Sequence, residues 1–126
     1  MRRVTGVGGI FFRSRDPKAL GEWYHKHLGV KLEDWGGAVF QWEEDALPAP
    51  GMTIWCPFKE DTDYFGREEN RFMVNFRVED LHTLLEVLRA EGCKVESKVE
   101  DSPFGTFGWV TDPEGNRVEL WQPPSQ

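Results

Sequence analysis

Histidine, tyrosine and cysteine are scarce in this chain. Its 126 residues include three histidines, two tyrosines and two cysteines. Cys56 and Cys93 lie far apart and cannot staple a disulfide-dense scaffold, so a cytoplasmic protein with reduced thiols is the expectation. No apolar run exceeds a few residues, which is too short to span a bilayer. No basic run exists either. Fifteen basic against 22 acidic side chains give a formal net charge of −7, a poor match for nucleic acid or an anionic membrane. The start, Met1-Arg2-Arg3-Val4, is basic but leads into no apolar segment, so no signal peptide is expected. Aromatics, in contrast, are abundant, with six tryptophans and nine phenylalanines. The 39% hydrophobic share excludes a disordered chain, and the length fits one domain or two small modules sharing a core.

Local patterns order the chain. Val4 to Arg13 reads as a strand with glycines beside Ile10-Phe11-Phe12. Asp16 caps a helix with Pro17 at its first position. Leu20, Trp23, Tyr24, His27 and Leu28 share one face of that helix, and Gly29 ends it. Strands follow at Val30 to Asp34, Ala38 to Trp42 and Met52 to Cys56, with a Pro-rich acidic loop over 43–51. Lys59 to Asn70 is a polar linker carrying Tyr64-Phe65. Arg71 to Val78 alternates as a strand. Asp80 caps a second helix with the stripe Leu81, Leu84, Leu85, Leu88, ended by Gly92. Strands then cover Cys93 to Lys98, Gly105 to Thr111 and Arg117 to Trp121. The last two flank the turn Asp112-Pro113-Glu114-Gly115-Asn116.

The order is β-α-β-β-β, linker, β-α-β-β-β, and the halves match. Phe12 to Asp16 aligns with Phe76 to Asp80. Gly29 to Glu33 aligns with Gly92 to Glu96, and Thr53 to Pro57 with Glu119 to Pro123. Three anchors in one order point to an internal duplication.

Arg15-Asp16-Pro17 leading to Trp23-Tyr24 and Leu28-Gly29 resembles the helix-one signature of the vicinal oxygen chelate superfamily. That superfamily is the glyoxalase, bleomycin-resistance and extradiol dioxygenase group. Asp112 to Trp121 resembles its closing hairpin. The resemblance covers almost the whole chain. It implies an α+β fold of two tandem βαβββ modules, 1–58 and 71–126, joined by the linker 59–70 into one domain. Their mixed sheets would form a cup with helices outside. It also implies a small-molecule ligand and a homodimer.

Strand alternation then sorts side chains. Ile10, Phe12, Phe72, Val74, Phe76, Val78, Val118 and Leu120 are expected against helices. Gly9, Phe11, Arg13, Met73, Asn75, Arg77, Arg117, Glu119 and Trp121 are expected toward the cup, and by the repeat so are Thr53 and Trp55. Relatives chelate a divalent metal from four equivalent strand positions, which align here with Gly9, Thr53, Met73 and Glu119. Only Glu119 is a normal ligand, whereas catalytic metal sites use about three. No cofactor is therefore expected. Glu43 or His27 could supply a displaced ligand, although His27 reads as a packed residue and His25 and His82 as exposed.

Glu119 in an aromatic cup would be desolvated, with a raised pKa suited to a general acid or base. A salt bridge to Arg13, Arg77 or Arg117 is the alternative. Arg13 and Arg77 could meet an anionic ligand at the rim or pair with surface acids. Phe11, Trp55 and Trp121 line the cup, and Tyr64-Phe65 and Phe104 could fold over it. Trp42, Phe107 and Trp109 fit either side. Each aromatic buries roughly 150–250 Å², enough between them to hold a flat ligand or to fill the junction between modules.

Two readings lead, and a protein-interaction module is a third. The first is a metal-independent binder of a small aromatic or apolar molecule, with Glu119 and Asn75 as polar anchors. The second is a metal-dependent lyase, isomerase or dioxygenase of the glyoxalase type, with Glu119 as ligand or base.

Overall fold

The computed structural model describes residues 1–28, 30–42, 51–112 and 114–125, without the side chains of Trp23, His27, Leu28 and Trp42. Expectations for Gly29, Glu43, the 43–50 loop, Pro113 and the His27 side chain lie outside these residues. The elements are β1 (Val4–Ser14), α1 (Pro17–Leu28), β2 (Ala38–Trp42), β3 (Gly51–Lys59), β4 (Phe72–Val78), α2 (Leu81–Ala90), β5 (Lys94–Ser102), β6 (Gly105–Thr111) and β7 (Arg117–Gln122).

Seven strands form one mixed sheet in the order β2-β3-β1-β4-β7-β6-β5. Each half contributes a parallel pair, β1 with β3 and β4 with β7, and the halves join through antiparallel β1 and β4. The α+β class and the cup-like architecture are as expected. Val30 to Asp34 is not a strand: 30–33 carry no regular structure and a turn starts at Asp34. The first module therefore has one strand fewer than expected among the described residues.

Both helices begin where side-chain chemistry places them. Asp16 Oδ1 accepts from the Ala19 backbone N–H at 3.0 Å, and Asp80 Oδ1 accepts from that of Thr83 at 3.2 Å, satisfying otherwise orphaned donors. The α2 stripe packs Leu81, Leu84 and Leu85 onto Val78 and Leu120, with Phe76, Leu88 and Val118 at its edge.

Between the helices the outer face of the sheet is bare. Ile10 lies opposite Val74 and Phe12 opposite Phe72, yet Ile10, Phe72 and Val74 are 48%, 66% and 39% exposed. This corrects the expectation that α1 and α2 would cover all three. The helices sit over the flanks of the sheet, α1 beside β3 and β1, α2 beside β5, β6 and β7.

Candidate functional site

The inner face of the sheet carries the site. The ladders pair Gly9 with Ile54, Gly9 with Asn75, and Asn75 with Glu119. They likewise pair Phe11 with both Cys56 and Met73. Two rows of side chains thus cross the cup, Ile54-Gly9-Asn75-Glu119 and Cys56-Phe11-Met73. Phe11, Met73, Asn75, Glu119 and Trp121 are all buried.

The β3 face differs from the expectation. Trp55 packs on Tyr24 of α1 at 4.9 Å and on Phe12 at 5.4 Å, outside the cup. Thr53 donates to the Val7 carbonyl at 3.1 Å. The inward residues are instead Ile54, Cys56 and Phe58, which pack with Phe11. The Trp-x-Pro likeness of the two halves misaligns their closing strands. Matching Phe11 with Asn75 through the ladders makes Cys56, not Thr53, the counterpart of Glu119. Burial pushes the Cys56 thiol up to about 11, so it stays protonated.

Glu119 is 1% exposed. Asn75 Nδ2 donates to its Oε1 at 2.6 Å. Trp109 Nε1 donates to Oε2 at 3.0 Å, and the Tyr64 hydroxyl donates to the same oxygen. Burial holds the Glu119 carboxyl above the ordinary carboxylate range, against the pull of these three donors and of Arg117. Burial and the neighbouring Glu119 charge together push the Tyr64 hydroxyl well up, so it keeps its proton and donates.

Backbone geometry admits this cluster. A Cβ at Gly8 would lie 1.9 Å from Asn75 Oδ1, so a larger residue there would push that amide out of its place beside Glu119. Trp109 stands directly opposite Glu119 in the β6–β7 hairpin. The five-residue turn Asp112 to Asn116 fixes that register, and counting back from it would have placed Trp109 in the cup.

The linker fills the remaining space. Phe65 is fully buried, packed with Phe11, Met73 and Trp109, 5.1 Å from Phe58. Tyr64 stacks on Phe58 at 5.6 Å and 17° and meets Trp109 edge-on at 6.0 Å. Two arginines hold this segment by its backbone. The Arg13 guanidinium donates to the carbonyls of Glu60, Thr62 and Asn70 at 2.8, 2.7 and 2.7 Å. It also stands 5.3 Å from the Phe65 ring centroid. Arg117 Nη1 donates to the Tyr64 carbonyl at 2.5 Å, and its Nε and Nη2 form a bidentate pair with Glu96, both at 2.8 Å. Arg13 is thus a buried staple for the linker, where the rim or a surface ion pair was expected. Arg77 is buried too, 1% exposed, which removes it from the rim. Arg117 pairs with Glu96 and not with Glu119. Phe104, expected over the cup, is 71% exposed at a hairpin tip.

Beside Tyr64 an open cavity of about 620 Å³ is lined by Arg67, Lys94, Glu96, Lys98 and Arg117 among others. Tyr64 forms part of its wall, between this cavity and Glu119.

The donor set does not fit a divalent metal. Gly9 and Met73 offer no hard ligand, Thr53 bonds elsewhere, the Cys56 thiol in its place is a soft group that burial keeps protonated, and both Glu119 oxygens already accept protein donors. The described residues include no group of three His, Cys, Asp or Glu placed to hold an ion.

A sequence model of the glyoxalase-like domain matches residues 9–121. A search of curated proteins gave no match. Among solved structures, a Streptomyces coelicolor methylmalonyl-CoA epimerase in complex with 2-nitronate-propionyl-CoA is similar. Its TM-score is 0.71 at 16% identity, over 97% of this chain and 99% of that one. The Mycobacterium tuberculosis methylmalonyl-CoA epimerase gives 0.62 at 19% identity, over 98% and 91%. A glyoxalase/bleomycin resistance protein/dioxygenase superfamily member from Vibrio splendidus gives 0.57 at 11%, over 92% and 97%. At these identities the likeness is one of fold.

Proposed function

The chain belongs to the glyoxalase-like domain family, matched over residues 9–121, and from that premise we propose that it binds a small aromatic or apolar molecule in its cup without a divalent metal. The observation that carries this reading is the state of Glu119. The family's metal chemistry needs several ligands converging on one ion. Here one carboxylate faces two N–H donors and a hydroxyl, a set suited to recognising polar groups and not to binding a cation. Around it stand Phe11, Phe58, Met73 and Trp109, a wall suited to a flat apolar body, against which the linker's own Tyr64 and Phe65 now pack. The epimerases of like fold act on CoA esters by name; this chain's ligand is proposed from its own wall chemistry.

The protein acts in the cytoplasm in this reading; no helix among the described residues is long and apolar enough to cross a membrane. A homodimer belongs to the same proposal. The bare strip of Ile10, Phe72 and Val74 between the helices is the surface a second copy would cover.

Quenching of tryptophan fluorescence by a panel of aromatic compounds, with and without EDTA, tests the reading. Saturable quenching indifferent to EDTA is expected. Binding or turnover that appears only on metal addition would favour the metal-dependent lyase, isomerase or dioxygenase, with Glu119 as ligand.

A further inference from the structure

Tyr64 occupies the cup in the manner of a ligand. Its ring is sandwiched between the face of Phe58 at 5.6 Å and the edge of Trp109 at 6.0 Å. The Arg117 guanidinium stands 5.5 Å from its centroid. Its hydroxyl donates to the buried carboxylate of Glu119. These are the contacts a free phenol would seek: two aromatic walls, a cation near the ring and a charged acceptor for the hydroxyl.

The two linker aromatics differ in how firmly they are set. Phe65 is fully buried. Tyr64 is only half-buried and borders the open cavity of about 620 Å³, so its ring has space to leave into. Gly66 follows at φ +84°, a left-handed conformation open to glycine. The Arg13 bonds to the carbonyls of Glu60, Thr62 and Asn70 anchor the segment on either side, and Arg117 holds the Tyr64 carbonyl itself, so the swing is that of the Tyr64 side chain about a fixed backbone.

We infer that the cup's ligand is an aromatic hydrogen-bond donor of the phenol type, and that Tyr64 is an internal occupant which this ligand displaces. The inference rests on the proposed cup-binding reading and adds the ligand's chemical class and its competitor. Glu119 then selects for the donor, because a hydrocarbon would leave the buried carboxylate short of one hydrogen bond. The competition is with a tethered group, so the wild type binds more weakly than a chain lacking the ring.

The test compares p-cresol, the side-chain analogue of tyrosine, with toluene, which lacks the donor. Wild type, Tyr64→Ala and Tyr64→Phe are titrated by calorimetry and by fluorescence of the adjacent Trp109. Tyr64→Ala should bind p-cresol at least about tenfold more tightly than wild type, and p-cresol at least about tenfold more tightly than toluene, as expected for loss of one hydrogen bond to a charged group. Tyr64→Phe fills the space without contacting the carboxylate and should bind p-cresol with intermediate affinity. Equal binding of toluene and p-cresol would overturn the inference and leave the metal-free aromatic reading standing. So would a wild type that never takes up p-cresol under conditions that saturate Tyr64→Ala, provided it binds other aromatics. Donor selectivity that vanishes in EDTA and returns with a metal would instead overturn the metal-free reading and leave the donor assignment intact.

Discussion

Replacing Glu119 by glutamine isolates what the buried carboxylate contributes. Its Oε1 accepts one N–H, from Asn75, and its Oε2 accepts from both Tyr64 and Trp109. A carboxylate is acceptor-only, so three donors converge on it without conflict. A glutamine oxygen at the Oε2 position keeps Tyr64 and Trp109, but its NH₂ then meets Asn75 Nδ2. Asn75 carries the remedy. Its Oδ1 is buried with no hydrogen-bond partner among the described residues, and a half-turn of the amide brings that oxygen to the new N–H. Glu119→Gln should therefore fold. The bonds weaken from the charge-assisted range of about 1.5–3 kcal/mol to about 0.5–1.5 kcal/mol each, while the cost of a buried charge disappears, leaving a net change within about 2 kcal/mol at neutral pH.

The dependence on pH is the sharper readout. Burial raises the Glu119 carboxyl above its ordinary range, so the folded chain keeps this proton where the unfolded chain has lost it. Above an unfolded pKa of about 4.3 and up to the higher folded value, unfolding releases a proton, and stability falls as pH rises. Asp112, Glu96 and Glu91 are shifted down, the first by its bonds to Asn116 and the others by pairing with Arg117 and Arg3. Their contributions are lost as pH falls through their folded pKa values, below that window. Urea unfolding followed by fluorescence between about pH 4.5 and 8 should show wild type losing stability relative to Glu119→Gln. Parallel profiles, or a wild type that gains on the variant with rising pH, would mean instead that the three donors match or outweigh burial.

Other consequences follow from the same packing. Phe65→Ala empties a fully buried position and should cost about 3–5 kcal/mol in urea unfolding; a cost below about 1 kcal/mol would mean the ring is not part of the core. Arg13→Met removes three short bonds to linker carbonyls and should cost about 2–4 kcal/mol, with faster amide exchange confined to residues 60–70; unchanged exchange there would contradict its role as a staple. Phe72→Asp, at a side chain 66% exposed, should leave the circular dichroism unchanged and shift sedimentation from dimer to monomer; a wild type that sediments as a monomer would remove the proposed dimer surface.

Much of this was legible in the chain, for physical reasons. Asp16-Pro17 and Asp80 carry cap chemistry that acts within one turn, and the Leu81, Leu84, Leu85, Leu88 stripe has helical period. Val118, Glu119 and Leu120 follow simple alternation from a turn of known length. Structure and sequence pattern part where the information is not local. The recurrence of Trp-x-Pro in both halves points Thr53 and Trp55 inward, but ladder register is set by pairing partners, and the pairing of Phe11 with Cys56 puts Ile54, Cys56 and Phe58 inside. Ile10 and Val74 alternate correctly, yet alternation cannot say how far a helix reaches across a sheet. Two aromatics in a polar linker point to the cup, but the bond from Tyr64 to Glu119 joins residues 55 apart in sequence, and nothing local signals that the pair fills the cup and reaches that carboxylate. Arg13 reads as a strand-end cation, but its partners are backbone carbonyls, which have no sequence signature.

If the cup binds its ligand with protein groups alone, metal content and binding measured on the same preparation will show it. Elemental analysis of the purified protein should find no stoichiometric nickel, zinc, iron or manganese, and p-cresol binding should be the same before and after EDTA. One metal ion per chain, lost in Glu119→Gln together with binding, would contradict it.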